Sequence, residues 1–93
     1  MEKVVRILNQ LPMTERSYTD RNGQNQVFAS KGFVLTDGID TFYAEMIGDS
    51  ARTAPQYDVN ELHTVQTTLQ VRSWKDQQGV ERYSTEVRIN KLV

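Results

Sequence analysis

The sequence contains no cysteine and only one histidine, His63. Disulfides and thiolate metal sites are therefore excluded, and no Cys/His zinc spacing exists. A chain without cysteine is compatible with a reducing compartment, so we expect a cytoplasmic protein. No apolar run approaches the roughly 20 residues of a membrane span, and no signal-peptide core follows Met1.

Apolar residues are also scarce. They make up 38% of the 93 residues, which is little for a small domain that must bury a core alone. We therefore expect one domain, residues 1–93, that covers further apolar surface by forming a homo-oligomer, either a dimer or a tetramer.

Residue patterns that carry catalysis are missing as well. The sequence has no phosphate-binding G-x-x-x-x-G-K-[ST] loop and no G-x-S-x-G nucleophile turn. The acidic residues between Asp37 and Asp49 are better explained as turn formers than as a cation site. We interpret His63 as an ordinary residue at a strand entry. The sequence thus predicts a protein that is not an enzyme and uses no cofactor or metal.

Charge is nearly balanced, with 11 basic and 12 acidic residues. Residues 1–36 carry a net +2, residues 37–61 a net −5 and residues 62–93 a net +2. A net charge of −1 argues against general affinity for nucleic acid. The two outer segments could still form a mildly positive surface, whose binding of phosphates would be sensitive to salt.

Two alternating runs, joined by a polar turn, occupy residues 64–93. Their predicted inner set is Val65, Thr67, Leu69, Val71, Tyr83, Thr85, Val87 and Ile89. Such alternation predicts two strands, each with one buried and one wet face. Gly79 suits the left-handed position of a three-residue hairpin loop. That loop pairs Trp74 with Arg82 and Val71 with Thr85.

Two further hairpins are predicted upstream. Asn22-Gly23 favours a tight turn because both residues tolerate positive φ. Asp37-Gly38, read as a two-residue turn, places Tyr43 opposite Gly32 in the strands that flank it. Gly32 also indicates a bulge, as small closed barrels need at corners. The predicted apolar set of this hairpin is Phe33, Leu35, Phe42, Ala44 and Met46.

An early strand at Lys3–Leu8, the arms of the Asp37-Gly38 hairpin and the final hairpin give five short strands. A short helix fits Ser50–Ala54, closed off before Pro55. Short, mainly antiparallel strands with at most one short helix predict an all-β fold, a small five-stranded barrel. The early strand is either part of a dimer interface or a simple edge strand.

The most specific stretch is residues 72–87, RSWKDQQGVERYSTEV. It follows the pattern R-x-W-x-D-x-x-G-x-x-R-Y-x-T-E-V and resembles the last hairpin of bacterial single-stranded DNA-binding proteins. The resemblance implies an oligonucleotide/oligosaccharide-binding (OB) barrel, an N-terminal strand in a dimer interface, and contact between Trp74 and single-stranded DNA. Most members of that family end in an acidic tail that recruits other proteins. This sequence shows none, and is in that respect similar to the tail-less primosomal replication protein.

The candidate site combines exposed rings, on which bases stack, with cations for phosphates. The predicted stacking residues are Trp74, Tyr43 and Tyr18. The predicted phosphate contacts are Arg72, Lys75, Arg82 and, if a bulge turns it outward, Lys31. From the residues alone, Trp74 could instead cover a core edge or stack on Arg82. Tyr18 could half-cover a sheet edge, and Tyr43 could lie on the bare backbone of Gly32 as packing.

These observations predict a protein that binds single-stranded DNA, or RNA, with little sequence preference. Its role would lie in replication, repair or the DNA metabolism of mobile elements. The alternative is an OB-like module whose exposed rings contact another protein, which the neutral net charge and the missing tail favour. Salt dependence separates the two, because phosphate binding falls steeply as salt rises.

Overall fold

A computed structural model describes all 93 residues. The chain forms six strands and one short helix. In chain order these are β1 Glu2–Gln10, β2 Thr14–Thr19, β3 Asn25–Thr36, β4 Thr41–Ile47, α1 Asp49–Thr53, β5 Leu62–Lys75 and β6 Glu81–Leu92. The helix lies within one residue of its predicted position. No helix of this chain has the length and apolar character needed to cross a membrane.

Five of the strands close into a barrel. The sheet order is β1-β5-β6-β4-β3-β2, and β1 also pairs with β3. All pairings are antiparallel except the contact between β4 and β6, which consists of Glu45 beside Arg88. The predicted small, mainly antiparallel five-stranded barrel is therefore confirmed, and β2 is a sixth strand added to β3.

Strand β1 closes the barrel. Its first half, Glu2–Arg6, pairs with β5, and its second half, Arg6–Gln10, pairs with β3 across a register shift between Ile7 and Asn9. The simple edge strand considered from the sequence is therefore wrong. The sheet has register irregularities in β1 and in the β5–β6 pairing, between Gln66 and Thr67. In contrast, β3 pairs with β4 in regular register past Gly32, where a bulge was predicted.

The core lies inside the barrel, and one end is covered by α1. Its buried apolar residues are Val5, Ile7, Ala29, Phe33, Leu35, Ala44, Met46, Ala51, Val65, Ile89 and Leu92. The Phe33 ring meets Tyr57 edge-on, with 5.9 Å between ring centroids. The alternation predicted for β3 and β4 is confirmed, because Phe33, Leu35 and Ala44 are fully buried.

The predicted register of the β3–β4 hairpin is wrong by two residues. Thr36 lies opposite Thr41, and Tyr43 lies opposite Val34. The loop is longer than a two-residue turn because Asp37 Oδ1 accepts the backbone N–H groups of both Ile39 and Asp40, at 2.9 and 2.8 Å. An aspartate that bonds two successive N–H groups holds a wider loop than a tight Asp-Gly turn.

The β5–β6 hairpin has the predicted register, with Trp74 opposite Arg82 and Val71 opposite Thr85. Its predicted burial, however, is wrong beyond Thr67. Leu69, Val71 and Tyr83 of the predicted inner set are 53%, 71% and 64% exposed. Residues 70–86 leave the barrel as a two-stranded ribbon with solvent on both faces, here called the β5–β6 ribbon.

A second ribbon, residues 14–28, is formed by β2 and the first half of β3 and is called the β2–β3 ribbon. Every residue of β2 is exposed. The two ribbons explain the radius of gyration of 15.3 Å, since about 13 Å is expected for a compact chain of about 100 residues.

The two ribbons end in the same turn, of the form Asp-x-x-Gly-x. Asp20 Oδ1 accepts the N–H groups of Asn22 and Gln24, as Asp76 Oδ1 accepts those of Gln78 and Val80, all at 2.9–3.0 Å. Both glycines of these turns have φ of 78°. In the first turn only Gly23 has positive φ, so the predicted tight turn with two left-handed residues is wrong.

Candidate nucleic-acid interface

The outward-facing side chains of β3, β4 and β6 form one continuous surface of the barrel, here called the outer face. In β3 its members are the even-numbered residues, because odd-numbered ones such as Phe33 point into the core. Val34 lies opposite Tyr43 of β4, and Glu45 of β4 lies beside Arg88 of β6. Since directly opposed residues share a face of a sheet, the outer face runs from β3 through β4 to β6.

The outer face continues onto both ribbons. On the β2–β3 ribbon, Arg16 lies opposite Phe28, and Tyr18 is the next residue of β2 on the same face. On the β5–β6 ribbon, Arg82 is on the same face of β6 as Arg88, because both are even-numbered. Trp74 lies opposite Arg82 and therefore also belongs to the outer face. The barrel thus carries the predicted rings, which are far apart in sequence, on one surface.

Four aromatic rings stand on the outer face and remain open to solvent. Tyr18, Phe28, Tyr43 and Trp74 are 53%, 36%, 48% and 46% exposed. Exposed rings on one surface are what stacking of successive bases requires, because every base has a π-face.

The Trp74 side chain lies in a shallow depression near the ribbon tip, which it lines together with Arg72 and Ser84. Its indole makes no cation–π contact, since the two such contacts of the chain are Lys3 with Phe42 and Lys31 with Phe33. Trp74 therefore lies opposite Arg82 in the strand register but does not stack on it, so the stacking considered from the sequence is wrong. The ring is available to another partner.

The Tyr43 ring lies across Gly32 at the edge of a groove. The groove separates β4 from β6 where the two strands diverge, and Glu45, Glu86 and Arg88 also line it. Partial burial, together with the nearby Glu45 carboxylate, raises the pKa of the Tyr43 phenol above its ordinary value. The hydroxyl therefore stays protonated at neutral pH, and the ring presents no negative charge to a phosphate.

Two of the predicted cations are paired with carboxylates of their own ribbon. Arg82 Nε donates to Asp76 Oδ2 at 3.0 Å, and Arg72 Nη1 lies 3.6 Å from Glu86 Oε1. All four side chains are reached by solvent, and exposed ion pairs are weak because water screens them. Both guanidiniums can therefore turn to a phosphate at low cost.

The other two predicted cations are not brought onto the outer face. Lys75 pairs with Glu81 in register and lies on the opposite face of the ribbon from Trp74. Lys31 is an odd-numbered residue of β3, and its ammonium lies 5.6 Å from the centre of the Phe33 ring. Without a bulge at Gly32, nothing turns Lys31 outward.

Three residues of the outer face were not predicted from the sequence, namely Phe28, Arg16 and Arg88. Neither arginine makes a salt bridge in this structure. In β3, Gln26, Phe28 and Ser30 alternate with Val27 and Ala29. This alternation could have placed Phe28 on the face of the strand that points away from the core. The positions of the arginines depend on strand pairings that a local pattern does not give.

The groups that could carry other chemistry are few. His63 is buried, and its ring nitrogens lie 3.2 and 2.7 Å from the main-chain oxygens of Val93 and Asp58. It thus ties the end of β6 to the loop before β5. The chain holds no group of three His, Cys, Asp or Glu side chains placed to bind a metal ion.

No protein-family model matches this sequence, and no curated protein matches it either. Among solved structures, the chain is similar to the NMR structure of the second OB-fold domain of replication protein A from Methanococcus maripaludis. The TM-score is 0.60, over 99% of this chain and 79% of that one, at 11% sequence identity. At this identity the likeness concerns the fold.

The chain has an OB fold. In chain order, its five barrel strands are β1, β3, β4, β5 and β6, and α1 lies between the third and the fourth. The β2–β3 ribbon occupies the connection between the first two barrel strands, and the β5–β6 ribbon the connection between the last two. The outer face of this OB barrel therefore covers its second and third strands and the adjoining part of β6, with one ribbon at each side.

Proposed function

We propose that this chain binds single-stranded DNA with little sequence preference. Bases stack on the exposed rings of the outer face, and cations beside those rings contact the backbone. The role we assign is in replication, repair or mobile-element DNA metabolism, as a binding protein and not as an enzyme.

The observation that carries the proposal is the set of four exposed rings on one face of an OB barrel. Each stacked base typically contributes about 1–3 kcal/mol, whatever its identity. Rings spread over a surface, without a deep pocket around any of them, favour a flexible strand over a compact ligand. Since stacking does not read base edges, little sequence preference follows.

Two further observations support the same ligand. OB barrels bind oligonucleotides and oligosaccharides on the surface of their second and third strands and on the two flanking connections, which is where the rings of this chain lie. The structural neighbour is a domain of a protein named for replication. The resemblance of residues 72–87 to bacterial single-stranded DNA-binding proteins stays a prediction, and it assigns the same role to Trp74.

The electrostatics set the expected strength. The outer face carries Arg16, Arg72, Arg82 and Arg88, but also Glu45 and Glu86, and the whole chain has a net charge of −1. Few phosphates can therefore be neutralised at once. The slope of log affinity against log salt concentration is proportional to the number of phosphates neutralised. We therefore expect moderate affinity and a modest salt slope.

The deciding experiment is a fluorescence-anisotropy titration of a labelled single strand at two salt concentrations. We expect Trp74→Ala to weaken binding roughly ten- to a hundredfold, the loss of one stacked base. The matched control is Tyr83→Ala, which removes an even more exposed ring from the opposite face of the same ribbon and should change affinity little. Equal binding by the parent and Trp74→Ala would reject the role of the indole.

A second candidate function is docking of another protein on the face of the β5–β6 ribbon opposite Trp74. The uncharged, exposed row of Leu69, Val71 and Tyr83 on that face favours it. The salt series separates the two, because an apolar protein contact is nearly indifferent to salt whereas phosphate contacts weaken as salt rises.

A further inference from the structure

The groove between β4 and β6 is closed at one end. The two strands run parallel, and their ladder consists of the single pair in which Glu45 lies beside Arg88. Tyr43 and Glu86, two residues earlier in each strand, stand on opposite walls of the groove because the strands diverge there. All four side chains belong to the outer face, because they have the parity of the outward-facing residues in their strands.

The floor of the groove is apolar. Phe42 and Val87 have the inward parity of their strands, and both pack against the core. The open space that they line measures about 420 Å³. Sites for small ligands typically measure about 300–1,000 Å³ and combine an apolar lining with a few polar groups that fix orientation. The groove therefore has the size and composition to take a flat ring whose polar edge points to the closed end.

The two charged groups at the closed end are not joined to each other. Glu45 and Arg88 are neighbours in the strand register, yet neither side chain takes part in any of the salt bridges of the chain. Both residues are partly buried. Glu86, on the wall of the groove, instead faces Arg72 at 3.6 Å. The closed end thus offers a carboxylate, which accepts hydrogen bonds, next to a guanidinium, which donates them.

We propose that this groove receives one base of the bound strand and selects guanine, which Glu45 and Arg88 recognise together. This assignment rests on the proposed function, because the strand brings the base to the groove. Tyr43 connects the two sites, since it is one of the proposed stacking rings and also forms a wall of the groove. The base beside Tyr43 is therefore the one that reaches the charged pair, and the bases on the other rings are not read.

Guanine matches the two charged groups better than the other bases do. Its N1–H and N2–H donors lie side by side and fit the two oxygens of one carboxylate, while its O6 and N7 acceptors fit the fork of a guanidinium. Adenine and cytosine offer a carboxylate only one amino group. Thymine has no amino group, and carbonyl oxygens flank its one ring N–H and would repel a carboxylate. Thymine should therefore bind worst in the groove.

Anisotropy titrations of two labelled strands at one salt concentration test the preference. One strand contains only thymine, and the other carries a single guanine in its middle, so that the protein can shift along it until the guanine meets the groove. A good bidentate contact favours the right base by roughly five- to a hundredfold, and we expect the strand with guanine to bind about tenfold more tightly. A third strand, with deoxyinosine in place of the guanine, lacks only the N2 amino group and should lose most of this gain.

Three variants assign the preference to the charged pair. Glu45→Gln keeps the shape of the side chain but cannot accept two N–H groups at once, so it should bind the thymine and guanine strands equally. The matched control is Glu86→Gln, which removes the same charge from the wall of the groove and should keep the preference. Arg88→Lys keeps the positive charge but loses the fork, so it should reduce the preference without changing the salt dependence.

Four results would overturn the proposal: equal binding of the two strands by the parent, no loss with deoxyinosine, a preference that survives Glu45→Gln, or one that is lost in Glu86→Gln. Equal binding by the parent would leave the proposed function standing, because both strands are still bound. If the parent binds neither strand, the proposed function fails and the reading of guanine fails with it. The comparison of strands needs only the parent, so it decides the matter even if a substitution unfolds the chain.

Discussion

The Tyr43 ring lies against the backbone at Gly32, although the residue directly opposite Tyr43 is Val34. A Cβ atom built on Gly32 would collide with the Tyr43 hydroxyl and would lie 2.7 Å from two carbons of the ring. The glycine thus makes room for a ring that lies diagonally across the strand pair. This contact fixes the orientation of one of the four proposed stacking residues.

Gly32→Ala should therefore displace the Tyr43 ring and weaken binding of single-stranded DNA. We expect a loss of roughly tenfold, similar to that of Tyr43→Ala. The cause would be the displaced ring, so Gly32→Ala should add little to Tyr43→Ala in the double variant. Anisotropy titrations of the parent, the two single variants and the double variant measure this double-mutant cycle. Losses of binding free energy that add in the double variant would contradict the proposed contact.

Phe28 offers a test of the outer face that does not depend on the resemblance to any family. Phe28→Ala should reduce affinity for single-stranded DNA by roughly tenfold, as loss of one stacked base does. Val27→Ala is the control, because Val27 is the neighbouring exposed apolar residue on the opposite face of the same ribbon. Equal effects of the two substitutions would mean that the ribbon does not bind through one face.

The hairpin registers show what a local pattern can and cannot predict. The β5–β6 register was predictable because Gly79 and the lengths of both runs permit one loop. The β3–β4 register was not, because it depends on the side chain of Asp37, which widens the loop by bonding two N–H groups. Sequence spacing alone does not reveal such a bond.

Burial of the ribbons was not predictable for a different reason. Alternation of Thr67, Leu69 and Val71 is the same whether or not another layer covers the strand. The barrel ends near Thr67, because β1 begins there, and residues beyond it have nothing opposite them. Likewise, Trp74 and Tyr43 could each be proposed from the sequence. The position of Phe28 on the same outer face, however, depends on how the strands of the sheet pair.

Acid should destabilise the fold through three turn aspartates, Asp20, Asp37 and Asp76. Backbone N–H groups of the turns, and then side-chain donors, hold the pKa of each carboxyl below its usual range. A depressed folded-state pKa contributes stability that is present above the unfolded value, about 3.9, and is lost as pH falls through the folded value. Urea midpoints should therefore drop from about pH 4 downward.

Asp37 should account for the largest part of this acid sensitivity, because its pKa is the most strongly lowered of the three. Its ion pair with Lys3, at 2.8 Å, is also less exposed to solvent than the pair of Asp76 with Arg82. Asp37→Asn should lower stability at neutral pH and flatten the dependence of the urea midpoint on pH below 4. Asp49→Asn is the control, since that carboxylate is almost fully exposed, and it should leave the dependence unchanged. Parallel curves for the parent and Asp37→Asn would contradict the assignment.

Gln10 holds the connection between α1 and β5 against the barrel. Its amide donates to Tyr57 O at 2.7 Å and accepts from Tyr57 N–H at 2.9 Å, and the Tyr57 ring packs on Phe33. Gln10→Ala leaves two partly buried backbone groups without partners, so we expect a loss of about 1–3 kcal/mol in unfolding free energy. Gln10→Glu should also destabilise, because a carboxylate cannot donate to Tyr57 O and would repel it. Thermal or urea unfolding measures both; a Gln10→Glu variant as stable as the parent would show that the donated bond contributes nothing.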